Sequence, residues 1–203
     1  MKLYQLMPLS LLALSTAATA SDFYLLGEAT HSKNTLSNNT FDTALNGAGA
    51  TGLASSDKGG SNQLRLQLGY SLSPNFAVEA GYIDFGKVKY SASYTGGTAD
   101  GTLKAGGIDV SALGILPLSD SFAVFGKAGV VAAKVKSSLS SSLLNSSASS
   151  NVVRPLLGMG VTYKLSGNMD MRAEYEHVSS LGKTATTGKM TDNMLSLGMA
   201  YHF

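Results

Sequence analysis

Cysteine and tryptophan are absent from the 203 residues, and proline occurs only four times. Without thiols there is no disulfide scaffold and no thiolate metal site. Charge is also scarce. Asp, Glu, Lys and Arg make up 14% of the chain, against the roughly 25% usual for soluble domains. The formal charge is +2, and no basic stripe follows any segment, which argues against a nucleic-acid partner. Long apolar runs are missing as well. Beyond Ser21 no stretch reaches the 18 or so residues that a membrane-crossing helix needs.

The first twenty residues read as an address. Met1-Lys2 gives a positive start, and an apolar stretch follows from Leu3 to Leu14. Ala18-Thr19-Ala20 then matches a small-residue cleavage site, which places the mature start at Ser21. The apolar core is too short to span a bilayer, which takes about 20 helical residues. The expected organisation is a signal peptide over 1–20 and a single domain over 21–203, a length suited to one core.

What the mature chain does have is alternation. Of the 9 Tyr and 7 Phe in the sequence, all but Tyr4 lie in that chain and recur within segments of period two, which argues for strands over a disordered Gly/Ser polymer. Eight strands are predicted, at about 22–31, 62–73, 76–89, 104–117, 121–136, 151–165, 169–180 and 192–203. The clearest are the second, sixth and eighth. Leu64, Leu66, Leu68 and Tyr70 oppose Arg65, Gln67 and Gly69. Leu157, Met159, Val161 and Tyr163 oppose Arg154, Gly158, Gly160 and Thr162. Leu195, Leu197, Met199 and Tyr201 oppose Ser196, Gly198 and His202. The polar faces are rich in Gly, Ala and Ser, which suits a crowded interior better than a solvated surface.

The connectors alternate in length. Short turns fall at Ser73-Pro74-Asn75, Pro117-Leu118-Ser119-Asp120 and Ser166-Gly167-Asn168. Long Ser/Thr/Gly/Asn-rich loops are expected over 32–61, 90–103, 137–150 and 181–191. That order predicts an all-β fold, a transmembrane antiparallel up-and-down β-barrel of eight strands with every long loop at one end. The final strand, ending at Phe203, is expected to pair with the first, leaving no backbone polar group stranded in hydrocarbon. In the third strand the phase is ambiguous. Either Asp84 lies at the headgroup level or a bulge near Ile83 shifts the alternation.

Several fragments resemble the OmpA-like transmembrane domain family. They are Tyr24-Leu25-Leu26-Gly27, Glu79-Ala80-Gly81-Tyr82, Phe125-Gly126-Lys127-Ala128-Gly129, Arg172-Ala173-Glu174-Tyr175-Glu176 and the ending Leu197 to Phe203. The resemblance implies a bacterial outer-membrane barrel, with outer-membrane lipid and lipopolysaccharide around it. It also implies the barrel-assembly machinery and periplasmic chaperones as biogenesis partners, with the terminal Phe203 resembling the assembly signal. The periplasmic peptidoglycan-binding domain of better-known members is not expected here.

Following the alternation inward, Glu28, Arg65, Glu79, Asp109, Lys127, Arg154, Arg172, Glu174 and Glu176 share one side and are expected to form a lumenal charge network, with Asp170 nearer the periplasmic rim. Eight strands enclose space for side chains but not for an aqueous channel, so these charges must pair. The network is read as core packing in polar form; an ion gate is the alternative. Catalysis is not expected. His177 and Ser179 share a strand face and resemble the His-x-Ser of outer-membrane lipid A deacylases. However, Glu174 and Glu176 have the opposite parity, and the nearest later acid is Asp192. No His pair has metal-ligand spacing and no cofactor motif occurs. The loops, with Phe41, Leu45 and Leu53 in the first, are where a host or cell-surface ligand would bind.

Overall fold

The computed structural model describes residues 22–37, 40–183 and 187–203. The signal peptide expected over 1–20 lies outside them. Nine antiparallel strands and one short helix make up the described chain. In order they are β1 (Phe23–Ser37), α1 (Thr40–Gly47), β2 (Ala54–Gly59), β3 (Ser61–Ser73), β4 (Phe76–Tyr94), β5 (Gly97–Pro117), β6 (Phe122–Ser141), β7 (Asn145–Lys164), β8 (Met169–Lys183) and β9 (Gly188–His202). The chain is therefore all-β, as the alternation predicts.

Each strand from β3 to β9 pairs with its neighbour in sequence, and β1 pairs with both β3 and β9. The β1–β9 ladder runs from Tyr24 opposite His202 to Ser37 opposite Lys189. Nine strands are present where the sequence predicts eight. The extra one, β2, pairs with β4 over Val88 to Ser93, whose other edge is held by β5. It therefore lies on the same side of β4 as β3 and prolongs the line of β3 past Gly60, whose φ of 133° breaks the strand.

The expected boundaries are corrected at one end only. The segments 90–103 and 137–150 are not loops. They continue β4 into β5 around Thr95-Gly96, and β6 into β7 around Ser142–Leu144. Their outward side chains are mostly Ser and Thr, with Asp100 and Asn145, because that face meets water, which gives a strand the composition of a loop. The inward residues Tyr90, Ala92, Tyr94, Ala99 and Leu139 are buried and keep the period of two. The first long loop is also structured. In α1, Phe41 and Leu45, four apart, put one face onto Tyr90, Ala92 and Leu139. Gly49 (φ 95°) closes the helix: its N–H donates to Asn46 O, and Ala50 N–H donates to Leu45 O. The Tyr90 hydroxyl donates to the Asp42 carboxylate, and burial together with that neighbour holds its pKa above the ordinary value.

In β4 the alternation runs unbroken through Ile83 and Phe85, both buried, with Asp84 exposed one outward position beyond Tyr82. The bulge falls at Gly86 (φ 69°), where the register to β5 slips between Asp84 and Lys87. The Asp84 carboxylate accepts the Gly86 N–H at 2.7 Å and braces the turn.

Side chains sort strictly by face. Leu64 is 88% exposed and Met159 66%, with Leu66, Ile108, Leu157, Leu195 and Leu197 all above half, so the outside is an apolar belt. Toward the hairpin end its outward positions turn polar on every strand, at His31, Asn62, Asp84, Lys104, Lys134, Asn151, His177 and Asn193. Inside, three layers stack. Near the short turns lies a cluster of Tyr24, Leu26, Ala77, Leu113, Phe125 and Ala200. Buried charges come next, followed by a larger apolar cluster around Phe85, Leu103, Val131, Val135, Leu156 and Met190. The α1 layer caps the hairpin end.

Candidate functional site: a buried ion cluster

Eight of the nine charged residues expected inside come together, from six strands: Glu28 (β1), Arg65 (β3), Glu79 (β4), Asp109 (β5), Lys127 (β6), and Arg172, Glu174 and Glu176 (β8). All are buried, Asp109 and Glu176 with no exposed surface. Lys127 is the hub. Its Nζ lies 2.8 Å from Glu174 Oε1, 2.9 Å from Glu176 Oε1 and 3.0 Å from Glu79 Oε2. Arg65 donates to Glu176 and, at 3.0 Å, to Asp109 Oδ2, with Glu28 Oε2 3.9 Å away. Arg172 pairs with both Glu79 and Glu174.

Three neutral residues complete the cluster. Gln67 Nε2 donates to Glu28 Oε2 at 2.9 Å, while its Oε1 accepts from Lys127 at 3.3 Å. The Tyr24 hydroxyl donates to Glu79 Oε1 at 2.6 Å. Phe125 lies beneath Arg172, whose guanidinium carbon is 4.1 Å from the ring centroid. The two rings lie across glycines. A Cβ on Gly69 would sit 2.0 Å from Tyr24 Cζ, and one on Gly160 would sit 2.3 Å from Phe125 Cζ. Sequence reasoning missed these supports. Their signal was an inward aromatic near a glycine of the neighbouring strand: Tyr24 is in register with Gly69, and Phe125 with Gly160.

Arg154 is the exception and corrects the expectation. It lies beyond the apolar cluster's Leu156 on β7 and has no ion-pair partner among the described residues. Its Nε donates to Ser180 O at 2.6 Å and its Nη2 to Gly182 O at 3.1 Å. The β8–β9 register slips between Val178 and Leu181, Ser180 has φ 58° and Gly182 φ 94°. Arg154 takes up two β8 carbonyls beside this slip, beyond the last β7–β8 register pair of Leu156 with Val178. Asp170 pairs with His202 Nε2 at 2.9 Å, beside the short turns.

No catalytic arrangement forms around His177. Its Nδ1 lies 2.8 Å from Asn193 Oδ1, while Asp192 is buried on the opposite face and accepts from Ser32 Oγ. Among the described residues no group of three His, Asp or Glu could hold a metal ion.

The profile of the OmpA-like transmembrane domain matches residues 20–203. The chain belongs to that family. Outer membrane protein A of Serratia marcescens is 32% identical over 139 residues, which is 67% of this chain and 38% of that protein. Outer membrane protein A of Klebsiella pneumoniae is 30% identical over 138 residues, 66% of this chain and 39% of that protein. The OmpA-like chain thus matches well under half the length of these relatives. Neisserial surface protein A (NspA) shares the fold with a TM-score of 0.57 at 17% identity, covering 90% of this chain and 98% of that one. The outer membrane protein AlkL, determined in lipid bilayers, does so with a TM-score of 0.55 at 16% identity and 94% of both chains. The OmpA-like chain is a multi-pass β-stranded protein of the outer membrane.

Proposed function

We propose that the OmpA-like chain forms a closed eight-stranded barrel with a sealed interior, which contributes to envelope structure and meets other surfaces through its projecting hairpins. Closure is supported by the run of pairings that returns from β9 to β1, with β2 and β3 sharing one place in the ring. On this reading residues 1–20 are the removed leader and residues 21–203 the barrel. Phe203, whose N–H donates to Phe23 O at the seam, is presented to the assembly machinery.

The observation that carries the sealed interior is the apolar layer between the ion cluster and the hairpin end. An ion gate would require more than a rearrangement of charge pairs. Phe85, Leu103, Val131 and Leu156 would also have to leave their contacts and meet water, at about 1.5–3 kcal/mol each. That total rivals the whole stability of a typical domain, about 5–15 kcal/mol. The ion cluster is therefore read as a core made of charges, which pins six strands into one register. The outward-reaching hairpins, rich in Ser and Thr and backed by α1, are the surface left for recognition.

Planar-bilayer recording tests this. Wild-type protein is expected to give no discrete openings, as are Arg65→Gln and Glu79→Gln variants that still fold. Regular unitary steps from wild type, altered in size by those two substitutions, would establish the gated pore instead.

A further inference from the structure

Outside the belt, on the hairpin side, the strand registers assemble lysines that the barrel itself does not need. Lys87 on β4 is opposite Lys104 on β5, which is opposite Lys136 on β6, which is opposite Ser149 on β7. The next row outward places Lys89 opposite Thr102, Ser138 and Ser147 in turn. Lys58 on β2 extends this row beside Lys89. Lys134 stands in the row nearer the belt, so six of the chain's twelve lysines lie on four adjacent strands. All six are exposed. Lys87, Lys104, Lys136, Thr102, Ser138 and Ser147 line a shallow depression of about 610 Å³.

The arrangement is repulsive as it stands. Directly opposed side chains have Cβ atoms about 4.5–5.5 Å apart, and like charges so placed destabilise a sheet. No ion pair relieves these lysines among the described residues. The neighbouring carboxylates are otherwise engaged or lie on the margins. Asp84, one row nearer the belt, accepts the Gly86 N–H, and Asp100, one row further out, accepts the Ser91 hydroxyl at 3.1 Å. Asp57 lies at the edge on β2, opposite Tyr90.

We propose that this lysine-and-hydroxyl grid binds the phosphate groups of outer-leaflet glycolipid headgroups. The inference rests on the barrel reading given above. Two observations select a lipid as the occupant. The grid lies on the side wall and not at the hairpin tips, and it begins within two outward positions of the last belt residues, Tyr82, Ile108, Ala132 and Val153. A headgroup seated on the lysines would leave its acyl chains lying along the belt. Every position of the two rows offers a hydrogen-bond donor, as a phosphate requires. Outward-facing lysines are also confined to the hairpin end, since the outward positions near the short turns include Leu116, Leu165 and Phe203, while Lys164 there has the inward parity.

The test uses purified, folded protein in zwitterionic detergent, titrated with bis-phosphorylated lipid A, with its dephosphorylated form, or with inorganic phosphate. Folding is scored first by heat-modifiable gel mobility, and binding by the rise in melting temperature. Wild type should be stabilised by the phosphorylated lipid alone. A Lys87→Gln/Lys104→Gln/Lys136→Gln variant should bind it on the order of a hundredfold more weakly, since each lysine near an anionic lipid surface contributes about one factor of five. Without lipid that variant should melt no lower than wild type, because the repulsion is gone. A control with Lys33, Lys183 and Lys189 changed to Gln, on β1, β8 and β9, should bind as wild type does. Equal binding by wild type and the first variant would overturn the site. A matching response to inorganic phosphate would also overturn it, by assigning a free-anion site. A wild type with no heat-modifiable form would instead overturn the barrel reading on which the proposal stands.

Discussion

Replacing Arg172 by Met should cost about 3–5 kcal/mol of folding stability, the range for removing one partner of a buried ion pair. The cluster holds five carboxyl groups, those of Glu28, Glu79, Asp109, Glu174 and Glu176, and three cations, Arg65, Lys127 and Arg172. Cations are the scarce component. Without Arg172, Glu174 keeps Lys127, but Glu79 must share that same ammonium, and the Phe125 ring loses the guanidinium above it. Loss of an acid should be milder. Glu174→Gln keeps the shape and reduces the excess of carboxyl groups, so a cost of roughly 1 kcal/mol is expected, near that of one hydrogen bond. Urea unfolding in lipid vesicles, followed by the heat-modifiable band, measures both. Equal costs for the two substitutions would mean that charge balance does not govern the cluster.

An arginine at Leu66 should be nearly as damaging, for the opposite reason. Leu66 is 59% exposed, and its side chain touches neither the ion cluster nor the apolar layers. In a soluble protein a charge there would be nearly neutral, within about 0.5 kcal/mol. Facing the middle of a bilayer, it should cost about 2–4 kcal/mol, falling to about 0–1 near the interface. Asn62 lies on the same face of β3, two outward positions toward the hairpin end, where the belt has turned polar. Asn62→Arg is therefore expected to be close to neutral. The contrast between these two sites in vesicle unfolding isolates the surrounding solvent from any packing effect.

The sequence made the membrane-facing part of the fold legible because lipid imposes a rule on every second residue. Leu64, Leu66 and Leu68, or Leu195, Leu197 and Met199, leave no choice of face, and the inward charges follow by parity. The rule lapses above the belt. There both water and the interior accept small polar residues, so the hairpin segments around Tyr90–Thr102 and Ser137–Ser149 have the composition of loops although they are paired up to the turns at Thr95-Gly96 and Ser142–Leu144. A two-turn helix buries only Phe41 and Leu45, too few to register as a periodic pattern. Parity also misled at Arg154. It assigns a side but not a height, and Arg154 lies past the apolar layer, where the disturbed backbone near Ser180 draws it away from the acids. The lysine rows were invisible for a related reason: Lys87, Lys104 and Lys136 are far apart in sequence and become neighbours only once the register is known.

The central claim is that one face of each strand is solvated by lipid while the other is packed. Because the chain has no cysteine, spin labels can be placed one at a time on β3 without altering the background. Accessibility to oxygen, which concentrates in hydrocarbon, and to a water-soluble nickel chelate is then read from Asn62 to Tyr70 in vesicles. Labels at Leu64, Leu66 and Leu68 should be open to oxygen and closed to the chelate, that at Gln67 closed to both, and that at Asn62 open to the chelate. Chelate access at Leu64, Leu66 and Leu68 equal to that at Asn62 would contradict the account.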